Sequence, residues 1–395
     1  MRRKTPIVFL AAAMIAITAG CGGSPDVKLG AVLSMEGIGA DYGPQIKNGI
    51  DLAVEEINGA GGISVEGGAE KPIRLLFRDA RSDPETGVRV ARELVDEGVS
   101  AVVGAAISDV SLSMAPIFQD AGVIMVSPAS SSPRLGAIGD YIYRIYPSDE
   151  VEGLNIAGHI YNHAGLRDVV IVAAETEWAI GIRNTFIQRF RMLGGSELDT
   201  VTFSPGVADF ASLVQGIADL VRAAPAVFIA AYTADTARIV QALRDSGSES
   251  RLFATSAILS EQLVARAGDA AEGLVFPLPE FDPNSDDEHV EAFVSAYRDT
   301  YGEEPNAFAA HGYDSVKLLA HAIERAGDNP DELRFYLNTM NPYQGVAGAV
   351  DFDEQGDARK FHTFFRIQDG QAVPVETDGG DGGEGDGGEG EGGEE

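Results

Sequence analysis

Short apolar runs and amphipathic helical stretches alternate along this chain in two successive series. That alternation restricts the fold more than any other feature. Val27–Leu33 (VKLGAVL) has the character of a buried strand. From about Tyr42 to Asn58 the residues Ile46, Ile50, Ala53, Val54 and Ile57 recur on one helical face. Ile73–Phe77 (IRLLF) reads as a second strand, and Asp83-Pro84 then opens a helix, with proline suited to its first position. Val99–Gly104, Val123–Val126 and Tyr141–Tyr146 extend the series. The pattern then restarts with strands at Val169–Ala173, Thr200–Phe203, Val227–Ala231 and Leu252–Ala254. Helices beginning near Ala179, Phe210, Thr233 and Ser260 separate and follow them. Alternation of this kind predicts parallel sheets with helices on both faces, an α/β chain of two doubly wound lobes. Parallel sheets hold ligands at the carboxyl ends of their strands, so both lobes can contribute to one cleft.

Size agrees with two lobes. The first twenty residues read as a secretory signal: Met1-Arg2-Arg3-Lys4, an apolar run from Pro6 to Ala19, then Gly20 before the chain's single cysteine, Cys21. The run is too short for a membrane-spanning helix, which needs roughly 20 residues. The last twenty residues, 376–395, carry nine acids and should form a solvated, self-repelling tail. About 355 residues remain between them, more than one hydrophobic core usually organises. The net charge of −32 opposes any phosphate backbone, so nucleic acid is excluded as a partner. Few lysines and many acids also suit a salty environment. No disulfide can form within the chain, because Cys21 has no second cysteine to pair with.

Several stretches, in order, resemble the branched-chain amino-acid (Leu/Ile/Val) binding family of extracytoplasmic solute receptors, which has the type I periplasmic-binding fold. They are LGAVLSMEGIGADYG (29–43), INGAGGI (57–63), VVGAAIS (102–108), AGVIMVSPASSSPRL (121–135), YRIYPSDEVEG (143–153), AGDAAEGL (267–274), YDSVKLLAHAIERAG (313–327) and VDFDEQGD (350–357). The resemblance implies one lobe from 27–147 and 279–361 and a second from 148–278 and 362–375. Three crossovers between them would form a hinge that closes on a ligand. It implies a monomeric binding protein without cofactor that hands a small solute to the membrane subunits of an ABC-type importer. A sensor feeding a membrane receptor is the alternative. The start of the chain is similar to a lipoprotein signal, with Cys21 as the lipid acceptor, although Thr18 stands where such signals carry leucine. An ordinary cleaved signal is the other reading.

Candidate site residues follow the strands. Ser108 opens a helix after Val99–Gly104, and Ser130 and Ser131 follow Val123–Val126. Hydroxyls and free N–H groups at such turns can hold a carboxylate, or can serve as ordinary caps and turns. The resemblance implies that Ser108, Ser130 and Ser131 bind the carboxylate and amine of the ligand, and that Tyr42, Trp178 and Tyr232 cover it. Ser256 departs from the family, whose amino-acid binders place an acid there to pair with the ammonium. An unpaired buried ammonium is costly. Either Glu177 or Asp235 takes over that role, or the best ligand is a small carboxylate or amide without an obligatory α-ammonium.

Other motifs fail their tests. In Gly37-Ile38-Gly39-Ala40-Asp41-Tyr42-Gly43 the third glycine falls one residue late for a dinucleotide loop. His159 and His163 stand four apart on a helix but lack the glutamate of a zinc-protease motif, so a solvated pair and no metal site is expected. There is no G-x-S-x-G elbow and no phosphate-binding loop. A binding protein, not an enzyme, is the resulting expectation.

Overall fold

The computed structural model describes residues 26–375 apart from 66, 67, 69 and 208. The signal stretch 1–20, Cys21 and the acidic tail 376–395 lie outside the described residues.

The first series runs β1 (Val27–Leu33), α1 (Gly43–Gly59), a small hairpin of β2 (Ile63–Ser64) and β3 (Glu70–Lys71), β4 (Ile73–Asp79), α2 (Pro84–Glu97), β5 (Ala101–Gly104), α3 (Ser108–Ala121), β6 (Ile124–Ser127) and β7 (Ile142–Arg144). These strands form a five-stranded sheet in the order β4-β1-β5-β6-β7, parallel throughout. As expected, Pro84 occupies the first turn of α2, where Asp83 caps the helix by accepting from Thr86 N.

The second series is α4 (Asp149–Gly158), β8 (Asp168–Ala174), α5 (Glu177–Leu193), β9 (Ser196–Phe203), α6 (Phe210–Gly216), α7 (Ala218–Ala223), β10 (Ala226–Ala230), α8 (Thr233–Asp245), β11 (Arg251–Ala254), α9 (Ser260–Ala267) and β12 (Val275–Pro279). The chain then returns to the first lobe as α10 (Glu288–Tyr301), α11 (Ala307–Ala326), α12 (Pro330–Thr339) and a hairpin of β13 (Tyr343–Gly345) and β14 (Gly348–Val350). It ends in β15 (His362–Gln368) and β16 (Gln371–Pro374). The second sheet therefore has seven strands, in the order β16-β15-β12-β11-β10-β8-β9.

The all-parallel expectation fails at one edge, where β12 pairs with β15, and β15 with β16, antiparallel. The reason is connectivity. The last crossover delivers β15 to the edge strand β12, and a tight turn at Asp369-Gly370 folds β16 back onto it. Both inner strands β5 and β10 are buried along their whole length, as strands covered by helices on two faces must be.

Helix α11 docks against α1 at close range because glycines face each other's backbone. A Cβ on Gly49 would lie 2.0 Å from the Ala309 carbonyl oxygen, and one on Gly312 would lie 2.4 Å from that of Ile46. This close crossing fixes the start of α11, and with it Phe308, against Tyr42 at the start of α1.

Candidate ligand-binding site

The strand ends of both sheets meet at one small cavity. Tyr42, Ser108, Ser131, Trp178, Tyr232 and Ser256 line it, together with Ala106, Ile107, Ala129, Tyr146, Ala257 and Phe308. Six of the seven ligand-site residues named from the sequence thus share one chamber. Ser130 does not join them. Its hydroxyl pairs with that of Ser111 at 2.7 Å and reaches the Ala105 carbonyl oxygen at 3.1 Å, one layer behind the wall.

The serine side is a braced turn. Ser127 and Ser130 both donate to the Ala105 oxygen, and Ser130 N donates to Ser127 Oγ. Ser108 is the first helical residue of α3, not its cap. The capping position is Ile107, whose side chain cannot accept from the first-turn N–H groups. Ser108 Oγ instead accepts from Ser132 N at 3.3 Å, joining the two loops. Behind them the fully buried Arg144 donates to the Ser132 oxygen at 2.7 Å and pairs with Asp357. No charged side chain lines the cavity here, so a carboxylate would be met by neutral hydroxyl and backbone N–H donors.

Five aromatic rings supply the remaining cover. Trp178 stacks on Tyr232 at 4.7 Å between centroids, and Tyr42 and Phe308 meet edge to face at 5.1 Å. Tyr146 stacks on Phe308 at 5.7 Å. Tyr146 and Phe308 were not anticipated. Tyr146 reads from sequence as the last residue of the Tyr141–Tyr146 strand, and Phe308 becomes part of the site only through the α1–α11 crossing.

The lobes are closed on one another. Tyr42 Oη donates to the Ala257 oxygen at 2.8 Å and accepts from Thr233 N at 3.1 Å. At the rim, Arg266 grips Asp41 with two hydrogen bonds of 2.7 and 2.8 Å, and Arg134 pairs with Glu177. The cavity is only ≈ 30 Å³, room for about two waters, so a solute must part the lobes to enter.

Neither substitute acid considered for Ser256 lines the cavity. Glu177 is committed to Arg134 at the exposed rim. Asp235 is buried in the first turn of α8, where loss of solvent pushes its carboxyl above the usual range. The acid that does touch Ser256 is Glu152, from the first turn of α4. Its two oxygens accept from Ser256 N and from Ser256 Oγ, each at 2.6 Å, and it is fully buried. Burial raises its carboxyl to about 7 against the opposing pull of these two hydrogen bonds. Asp149, on the same turn, is also fully buried, and desolvation drives it well above the usual range.

His159 departs from the solvated pair expected. It is buried in a π-helical turn after α4 and stacks on Phe364 at 4.1 Å, and burial lowers its imidazole to about 4. Among the described residues no group of three metal-ligating side chains converges.

Residues 26–372 match the periplasmic binding protein family. The chain belongs to that family. This periplasmic binding protein is a receptor for a solute rather than an enzyme, and it works outside the cytoplasm. It is similar to Leu/Ile/Val-binding protein homolog 1 of Brucella abortus, at 29% identity over 291 residues, 73% of this chain and 76% of that one. A leucine-binding protein of Thermotoga maritima superposes with a TM-score of 0.81 at 29% identity, covering 89% of this chain and 98% of that one. The branched-chain amino acid transporter substrate-binding protein LivJ of Streptococcus pneumoniae, solved with isoleucine, gives 0.79 at 27% identity, covering 89% and 100%.

Proposed function

We propose that this chain is the extracytoplasmic solute-binding lipoprotein of an ABC-type importer. It captures a small polar solute between its lobes: a branched-chain amino acid, an amide or a small carboxylate. The observation that carries this reading is the chamber itself. It pairs neutral donors from Ser108 and Ser131 with an aromatic cover from Tyr42, Tyr146, Trp178, Tyr232 and Phe308. That combination suits a carboxylate at one end of the ligand and an apolar body beside it. Relatives named for leucine, isoleucine and valine support the solute class. The hinge would lie where the chain passes between sheets, near 147–148, 278–279 and 361–362, and Cys21 would carry the lipid anchor.

Thermal-shift screening of amino acids, amides and small carboxylic acids tests the reading. A ligand at 100 times its dissociation constant stabilises the fold by about 2.7 kcal/mol, which is readily measured. No stabilisation by any member of the three classes would overturn it. The anchor is tested separately by Cys21→Ser, which should move the protein from the membrane fraction to the soluble one. Unchanged retention would rule the anchor out.

A further inference from the structure

We propose that Glu152 is a specificity-determining residue: acting through Ser256 and Tyr146, it turns one wall of the cavity into a hydrogen-bond acceptor surface that selects ligands bearing an ammonium group. The inference rests on the solute-binding reading above and names which member of its ligand class is preferred.

An ionised carboxylate can only accept hydrogen bonds. Both Glu152 oxygens are engaged by Ser256, one by its N–H and one by its hydroxyl, each at 2.6 Å. The Ser256 proton therefore points away from the cavity and toward Glu152. Tyr146 Oη donates in turn to Ser256 Oγ at 3.0 Å, with the Ser256 carbonyl oxygen at 3.5 Å as its other acceptor. Its proton is directed at Ser256 in either case. Ser256 and Tyr146 both line the cavity. With their protons committed in one direction, they present oxygen lone pairs to it, backed by a buried negative charge. A ligand N–H₃⁺ is the complementary group. The carbonyl of Ala257, beside them, is already shared by Tyr42 and Thr233.

Among the described residues no cation donates a hydrogen bond to Glu152. The nearest basic group is His362 of β15, whose Nε2 lies 3.7 Å from Glu152 Oε2. That exceeds hydrogen-bond reach, and burial lowers the imidazole to about 3, so His362 stays neutral. His311 of α11, against the Tyr146 ring, is likewise lowered to about 3 by burial. Asp149, on the same turn, is a second acid that burial and Glu152 hold well above the usual range, and it faces Ser131, Trp178 and Arg144 rather than Ser256. Lys360 is occupied elsewhere, donating to the Ala347 oxygen. The negative charge behind Ser256 is thus left for the ligand to answer.

Glutamine at this position would reverse the chain. Its amide can accept from Ser256 N with its oxygen and donate to Ser256 Oγ with its nitrogen, freeing the Ser256 proton to face the cavity. Glu152→Gln should therefore change the sign of the preference as well as its size.

The test measures affinity by titration calorimetry for matched pairs that differ only in the amino group: L-leucine and 4-methylpentanoate, L-valine and 3-methylbutanoate, L-alanine and propanoate. The native protein should favour the amino member of at least one pair by about ten- to a hundred-fold. Glu152→Gln should bring that ratio to one or below. Ser256→Ala keeps Glu152 and removes the relay, and should lower the same ratio. Ser108→Ala should weaken both members of a pair alike. In the native protein the ratio should fall as pH is lowered from about 8 to about 5.5, because Glu152 takes up a proton in that range. Binding of the amino member near pH 7 should release protons to the buffer, whereas binding of the deamino member should not.

Equal affinities within every pair, or a ratio unchanged by both variants and by pH, would overturn the proposal while leaving the solute-binding reading intact. Absence of binding by every member of the three pairs would overturn this proposal, and the amide classes of the wider screen would then decide whether the broader reading falls with it. If Glu152→Gln does not fold, the pH series and Ser256→Ala still decide.

Discussion

The two ends of the cavity are built on opposite principles. The serine end contains no charged lining residue and is held by hydrogen bonds that are already satisfied: Ser127, Ser130 and Ser111 around the Ala105 carbonyl, and Arg144 behind Ser132. The Ser256 end stands on the buried carboxylate of Glu152, to which no cation among the described residues donates a hydrogen bond. The first end is stable in itself. The second is a store of unfavourable desolvation that a cationic ligand group would relieve. A site can thus be rigid where neutral donors suffice and destabilised where charge must be recognised.

The largest effect is expected at the serine end. Asp357→Asn would leave Arg144, fully buried, without its counter-charge. Removing one partner of a buried pair costs about 3–5 kcal/mol, so the urea midpoint should fall markedly. A loss under about 1 kcal/mol would show that Arg144 is not what braces the Ser130–Ser132 turn.

At the opposite end the sign should reverse. Glu152 has its folded value raised to about 7 from an ordinary 4.5. A carboxyl raised in this way opposes folding when ionised. The penalty is fully present above about pH 7 and disappears as pH falls toward the unfolded value. Glu152→Gln should thus stabilise the ligand-free protein by up to about 3 kcal/mol near pH 8 and by little near pH 4.5. Urea titrations at the two pH values decide, and a variant less stable than the native protein at pH 8 would contradict the picture of stored desolvation.

Smaller effects sharpen the contrast. Ser108→Ala removes one hydrogen bond from a neutral donor to a carboxylate and should weaken carboxylate ligands by about ten-fold, or about 1.5 kcal/mol, measured by calorimetry. Asp41→Asn should have the least effect, within about 1 kcal/mol, because the Asp41–Arg266 pair is partly solvated. Trp178, the chain's sole tryptophan, lies inside the closed cleft and reports opening. Its emission should shift on ligand binding. Unchanged emission with a saturating ligand would separate Trp178 from the moving surface.

Much of this was legible from residue order. Parallel strands place loops at their carboxyl ends, so Tyr42, Ser108, Ser131, Trp178, Tyr232 and Ser256 could be named from the strand pattern together with the family resemblance. Ser130 and Ser131 differ by one position in a turn, and only the backbone path decides which hydroxyl faces the cavity. Glu152 carries no local signal of its own, because Asp149, Glu150 and Glu152 together make an acidic first turn, a pattern that ordinarily complements the helix dipole. Its partner Ser256 lies 104 residues away and meets it only after the second sheet has assembled. The antiparallel edge of β15 and β16 was hidden for a related reason: the crossover that returns β15 to β12 leaves no local periodic signal.

The paired contacts between Asp41 and Arg266 have a consequence for timing. A solute can leave only when the clamshell opens, so the residence time of cargo is set partly by contacts that never touch it. The rim pair is screened by dissolved ions, whereas the inner bonds from Tyr42 to Thr233 and Ala257 are sheltered from them. In brine the outer catch would weaken and the inner one persist. Release of cargo would then quicken modestly with salinity while its rank order of solutes, fixed deeper in the cleft, stayed the same.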